Sequence, residues 1–188
     1  MNFARRIVLL ALIATFPATV AAQASTVILV RHAEKAGPSG DVDLSAIGQT
    51  RATDLATALA AFPVQGIFTS QYKRTLQTAA PVAARLGLTP VAVPVQGGDA
   101  RAQAAATATA IRGLPAGSAA LVVGHSNTVG LIVEALGGPK LDDLCDGEYA
   151  TMLVLDLSRP ANPRLLRASY GAPDGADAVA CHRTMQVQ

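Results

Sequence analysis

The sequence predicts an α/β fold, a three-layer sandwich in which helices flank a mostly parallel central sheet, and three observations lead there. Thr26-Val-Ile-Leu-Val30 is an unbroken apolar run, the pattern of a central parallel strand covered on both faces. Short β-branched runs like it alternate with segments whose apolar residues keep helical spacing. No internal repeat, long linker or charge block interrupts that alternation, so one domain accounts for residues 25–188.

The elements follow in order. Leu44, Ile47, Ala52, Leu55 and Leu59 keep helical spacing after the first strand, and Ser45 stands where a side-chain oxygen would cap that helix. Gly66-Ile-Phe-Thr-Ser70 reads as a second strand. Leu76, Ala79, Ala83 and Leu86 form its helix, which Gly87 stops. Residues 89–118 are free to form a lid. They hold Gln96-Gly97-Gly98-Asp99-Ala100, a loop opening an Ala-rich helix, and no aromatic side chain, which suggests an open, weakly discriminating site. Ala119 to Val123 is a third strand, and Asn127 to Leu136 a short helix apolar almost all round and therefore buried. Met152 to Leu157 and Arg164 to Ala168 are two further strands, separated by a turn from Pro160 to Pro163.

Composition narrows the function. The 188 residues are 51% apolar and 15% charged, which excludes a disordered chain or one that coats nucleic acid. Aromatic residues make up 4% and tryptophan is absent, which argues against stacking platforms for sugars or bases, so no nucleic-acid partner is expected. Thirty-eight alanines account for much of the positive mean hydropathy.

Residues 1–24 read as a secretory signal peptide. Arg5 and Arg6 form a basic start, Ile7 to Ala14 an apolar stretch, and Ala22-Gln23-Ala24 a small-x-small site cut before Ser25. An uncleaved anchor is the alternative, although the apolar run to Ala22 contains Pro17 and falls short of the ~20 residues a bilayer span needs. Without the leader, thirteen basic residues face thirteen acidic ones, so the apparent basicity belongs to targeting. A periplasmic or secreted protein with no stable membrane anchor is the expectation. In an oxidising compartment Cys145 and Cys181 then pair as one structural disulfide, contributing about 3–4 kcal/mol in the chain-entropy model. Two unrelated thiols are the alternative, because spacing alone fixes no distance.

The chemistry sits just past the first three strands. The first ends in Arg31-His32, the second runs into Tyr72-Lys73-Arg74-Thr75, and the third ends in Gly124-His125-Ser126-Asn127. Ligands of an open parallel sheet bind outside the carboxyl ends of its strands, so two histidines and two arginines converge there. His32 is expected at an exposed strand end. The only other histidine is His182, near the tail.

Arg31-His32-Ala33-Glu34, Ser70-x-x-x-Arg74-Thr75-x-Gln77-Thr78-Ala79 and Gly124-His125-Ser126-Asn127 together resemble the three signatures of the histidine phosphatase (phosphoglycerate-mutase-like) superfamily. Leu44-Ser45-x-x-Gly48-x-x-Arg51-Ala52 is similar to the opening of that family's first helix, and the resemblance runs over residues 26–157. It implies that His32 carries a transient phosphoryl group. Physical chemistry agrees, since a phosphoryl group in transfer spreads negative charge over three oxygens. Arg31 and Arg74 can hold those oxygens by forked, charge-assisted bonds, and His125 adds a donor. Lys35, Ser126 and Asn127 are candidate substrate contacts, the last two because they open a helix whose free N–H groups favour an anion. Lys35 and Lys73 could meet a second anionic group, or simply be solvated. The surrounding positive charge should keep His32 neutral and nucleophilic. This arrangement requires no metal and no cofactor.

One departure from the family pattern matters. Many members place a glutamate general acid between the second arginine and the second histidine, and a branch puts an acid directly after that histidine. Here the only acid between Arg74 and His125 is Asp99, and Ser126 follows His125. Asp99 can therefore serve as the acid or as a helix cap. Glu34 more plausibly orients the first motif or faces the entrance, and Glu148 reads as a strand-edge residue. The expected activity is hydrolysis of phosphomonoesters, on a phosphorylated small molecule or, by analogy with exported relatives, a cell-envelope phosphosugar. A phosphate-binding module of the same fold with little turnover is the alternative.

Overall fold

The computed structural model describes residues 24–159, 161–176, 178 and 181. Pro160, His182 and the leader up to Gln23 lie outside the described residues. Ala24, assigned above to the leader, is fully buried in the core. Among the described residues no helix is long and apolar enough to cross a membrane.

Six strands form one sheet in the order β3-β2-β4-β1-β5-β6. They are β1 (Thr26–Arg31), β2 (Val64–Thr69), β3 (Val91–Ala92), β4 (Ala119–Gly124), β5 (Thr151–Asp156) and β6 (Arg164–Ser169). β1 to β4 run parallel, whereas β5 pairs antiparallel with both β1 and β6. Alternation along β1 sorts the core. Val27 and Leu29 face one layer, made by α3 (Ala100–Arg112) and α4 (Ser126–Ala135) with Ala108, Ile111, Val129 and Ile132. Ile28 and Val30 face the other, made by α1 (Ala46–Ala58) and α2 (Lys73–Leu86) with Leu55, Leu59 and Val82. This is the expected three-layer sandwich.

Local signals behave as read. The Ser45 side chain accepts the Gly48 N–H and caps α1. Gly87 ends α2 at φ 64°, a left-handed conformation that glycine adopts without a Cβ clash. Residues 89–118 differ from expectation, because they build part of the sandwich instead of a lid. Their first residues add β3 to the sheet edge beside β2, and α3 packs its alanines against α4. A two-residue strand carries too little periodicity to be seen in sequence.

Candidate active site

Register explains why distant motifs meet. Arg31 on β1 is paired with Gly124 on β4, and the His32 N–H continues the ladder to the Gly124 carbonyl at 2.9 Å. The next residues along the two strands are therefore His32 and His125, whose ring centroids stand 5.3 Å apart. β2 flanks β4 on its other side, with Thr69 opposite Val123, so Ser70 and the start of α2 reach the same end of the sheet.

Hydrogen bonds set the state of both rings. His32 is buried, 4% exposed, which corrects the expectation of an exposed strand end. The cause is packing at the strand end, where His125 at the start of α4 and Tyr149 of the loop before β5 stand against its ring at 5.3 and 6.2 Å. His32 Nδ1 lies 2.8 Å from the Ala33 carbonyl, which can only accept, so Nδ1 carries the proton and Nε2 keeps its lone pair. His125 is 8% exposed. Its Nδ1 takes a long bond from Arg74 Nη2 at 3.4 Å, and its Nε2 lies 2.9 Å from Ser70 Oγ. A guanidinium can only donate, so in this arrangement Nε2–H donates to Ser70. Burial, with added repulsion from Arg31, Arg74 and Lys35, lowers His32 to about 4. Burial again, then Arg74 and His32, lowers His125 to about 3.

These values predict a pH dependence. His32 stays neutral through mildly acidic solution, so a reaction that uses its lone pair should hold its kcat/KM as pH drops and lose it only as pH passes through about 4. An acid limb centred at the ordinary imidazole value of about 6.5 would contradict this. Stability follows the same sign. Because the folded imidazoles bind fewer protons than unfolded ones, stability declines as pH falls below the unfolded value and stops declining below the folded values.

The two arginines are seated differently. Arg31, 5% exposed, rests in the loop before β5, which reaches this end because β5 runs antiparallel to β1. Its Nη1 donates to the Cys145 carbonyl at 2.8 Å and the Glu148 carbonyl at 3.4 Å, and its Nη2 pairs with Asp146 at 3.5 Å. Arg74 enters from the first turn of α2 and is half-buried. The Nε atoms of both are buried without a hydrogen-bond partner, leaving donor capacity unused.

Other positions of the quoted motifs are fasteners of the Arg31–Glu34 segment. Thr78 accepts the Ala33 N–H at 2.9 Å and donates to the Arg74 carbonyl at 2.7 Å, tying α2 to that segment. Arg51 grips both Glu34 oxygens, with Nη2 at 2.7 Å, so Glu34 orients the motif. Gly48 lets α1 approach the Glu34 backbone, where a Cβ would collide with the carbonyl oxygen.

Glu148 is not the strand-edge residue expected from sequence. It is fully buried before β5, accepts the Cys145 N–H at 2.9 Å and bonds Thr151, and Arg167 reaches it at 2.6 Å. It fastens the loop that holds Arg31. Cys145 and Cys181 are joined as expected, with Cα atoms 6.1 Å apart, anchoring the same loop to the C-terminal segment. A carboxylate this buried could have been suspected only from its place between a cysteine and a strand.

The remaining candidates are more peripheral. Asp99 is exposed and caps α3, accepting the Ala102 N–H at 3.0 Å. Lys35 Nζ donates to the Pro38 carbonyl at 2.8 Å while its charge is felt at both histidines. Lys73 pairs with Asp43 at 3.6 Å in solvent. Ser126 and Asn127 open α4, ahead of the first intrahelical bonds to the His125 carbonyl.

Two arginines and two histidines thus gather at the strand ends of a three-layer α/β sandwich. The chain matches the branch 1 sequence model of the histidine phosphatase superfamily over residues 27–96. Among solved structures it is similar to the protein histidine phosphatase SixA in complex with tungstate, at 20% identity and a TM-score of 0.60, covering 77% of this chain and 96% of that one. It is also similar to a mycobacterial glucosyl-3-phosphoglycerate phosphatase in complex with VO3, at 17% identity and a TM-score of 0.58, covering 80% and 100%. The PE-PGRS family protein PE_PGRS11 of Mycobacterium tuberculosis is 41% identical over 81 residues, 38% of this chain and 14% of that protein. The match thus spans about a seventh of that curated relative.

Proposed function

We propose that the protein is an exported phosphatase that hydrolyses phosphomonoesters through a phosphohistidine on His32. The observation that carries this reading is the state of His32: Nδ1–H is tied to the Ala33 carbonyl, Nε2 keeps its lone pair, and two arginines with unused donors stand around it. In the first step Nε2 forms a bond to phosphorus as the bond to the leaving oxygen breaks, and that oxygen takes a proton from an acid. In the second, water gives a proton back to that acid's conjugate base and attacks phosphorus, the N–P bond breaks, and inorganic phosphate leaves with His32 and the acid restored. Arg31 and Arg74 offset the charge on the transferring oxygens in both steps. The tungstate and VO3 of the two similar structures are tetrahedral or related oxyanions, in keeping with a phosphoryl site in this fold. Rapid quenching with a labelled monoester should trap one phosphoryl group per chain, stable in base and labile in acid. No covalent phosphate during measurable turnover would sink the mechanism.

We assign the leaving-group proton to Asp99, which sits at the turn after β3, on the side of the sheet where the strands end. Its cap contact favours a second reading, a phosphate-binding module with little turnover. Asn caps a helix as well as Asp, so Asp99→Asn separates the roles. It should slow alkyl phosphates by about 10²-fold or more while sparing aryl phosphates, whose phenolates leave without a proton. Equal losses on both would assign Asp99 to substrate contact, and unchanged rates on both to capping alone. A phosphorylated small molecule or cell-envelope phosphosugar is the proposed substrate, with Lys35, Ser126 and Asn127 as contacts.

A further inference from the structure

Two tyrosines that the sequence reading passed over each touch one arginine and one histidine of the site. The Arg31 guanidinium lies over the Tyr149 ring at 4.4 Å, and that ring is 6.2 Å from His32. The Arg74 guanidinium lies over the Tyr72 ring at 4.3 Å, and that ring meets His125 edge-on at 5.5 Å and 81°. Both rings are half-buried, so the contacts are partly shielded from water. Of the three tyrosines in the chain, two occupy these places.

We infer that Tyr72 and Tyr149 are positioning residues, each ring holding the plane of one phosphate-binding arginine and covering the edge of the neighbouring histidine. A guanidinium grips two oxygens only while its plane is correctly aimed, and its long stem is otherwise free to rotate. The Tyr72 ring serves Arg74 where hydrogen bonding is sparse, since the one bond to His125 is long. Tyr149 closes the face of Arg31 that the Cys145 and Glu148 carbonyls leave open. This role belongs to the aromatic face and needs no phenolic hydroxyl.

The inference rests on the phosphatase reading, and orthovanadate binding tests it without turnover. An inactive wild-type chain that still binds vanadate would refute the activity and leave the positioning role open to measurement. Tyr72→Phe and Tyr149→Phe should keep kcat/KM and the vanadate dissociation constant within about twofold of wild type. Tyr72→Leu and Tyr149→Leu should weaken vanadate about tenfold, with kcat/KM falling in step, the size expected for a shielded cation–π contact. The Leu variants should also move the acid limb of the pH profile upward, because the histidines lose a desolvating neighbour. If a Leu variant fails to fold by circular dichroism, a fluorinated phenylalanine at the same position keeps the shape, weakens the ring face, and should still weaken vanadate. Unchanged vanadate affinity in the Leu and fluorinated variants would overturn the inference. So would Phe variants that lose alkyl-phosphate hydrolysis but keep aryl-phosphate hydrolysis, because the phenol would then be the proton donor.

Discussion

His32→Ala is expected to lose at least about 10³-fold in kcat, with no trapped phosphoprotein, because among the described residues no other neutral imidazole beside the two arginines keeps a free Nε2. His125 cannot substitute, since its Nε2 is engaged with Ser70 and its Nδ1 with Arg74. Burial of His32 raises the question of folding. Its ring bonds the carbonyl of the adjacent residue and otherwise stands against the rings of His125 and Tyr149 at the strand end. The variant should therefore fold, with an unchanged far-ultraviolet spectrum and a small shift in Tm. Residual activity within about tenfold of wild type would exclude a covalent role for His32.

Arg74→Lys should be nearly as damaging as Arg74→Ala, each costing about 10²–10³-fold in kcat/KM. Arg74 donates to His125 Nδ1, holds its guanidinium carbon over the Tyr72 ring and retains a buried, unpartnered Nε. Only a planar fork does all three together, and an ammonium supplies charge without that geometry. Steady-state kinetics on both variants with one monoester decide the matter. Recovery of most activity by lysine would show that charge alone suffices.

The two substitutions probe parts of the site that were unequally legible. His32, Arg31, Arg74 and His125 could be placed together because each follows a recognisable strand, and parallel strands deliver their carboxyl ends to one edge. The capping roles of Ser45 and Asp99 were legible too, since a cap is a contact across three residues. Glu148, Tyr149 and Tyr72 were not. Their partners lie across the fold, as with the sequence separation of 117 from Arg31 to Glu148, and no local pattern encodes such a pairing. The supposed lid failed for a related reason. Alanine-rich residues 100–112 look too small to anchor a core, yet small side chains are what let α3 lie close against α4.

Local order is what the sequence determined: hydrophobic period, caps and a glycine stop depend on neighbours a few residues apart, and they specify a layered α/β chain with charged motifs at three strand ends. Tertiary structure decided the chemical state of those motifs. Strand register set His32 beside His125, the reversed direction of β5 brought the disulfide-anchored loop onto Arg31, and burial between them lowered both imidazoles to about 4 and 3. Desolvation depends on everything packed around a group, whatever its distance along the chain, so the neutral imidazoles follow from the assembled fold.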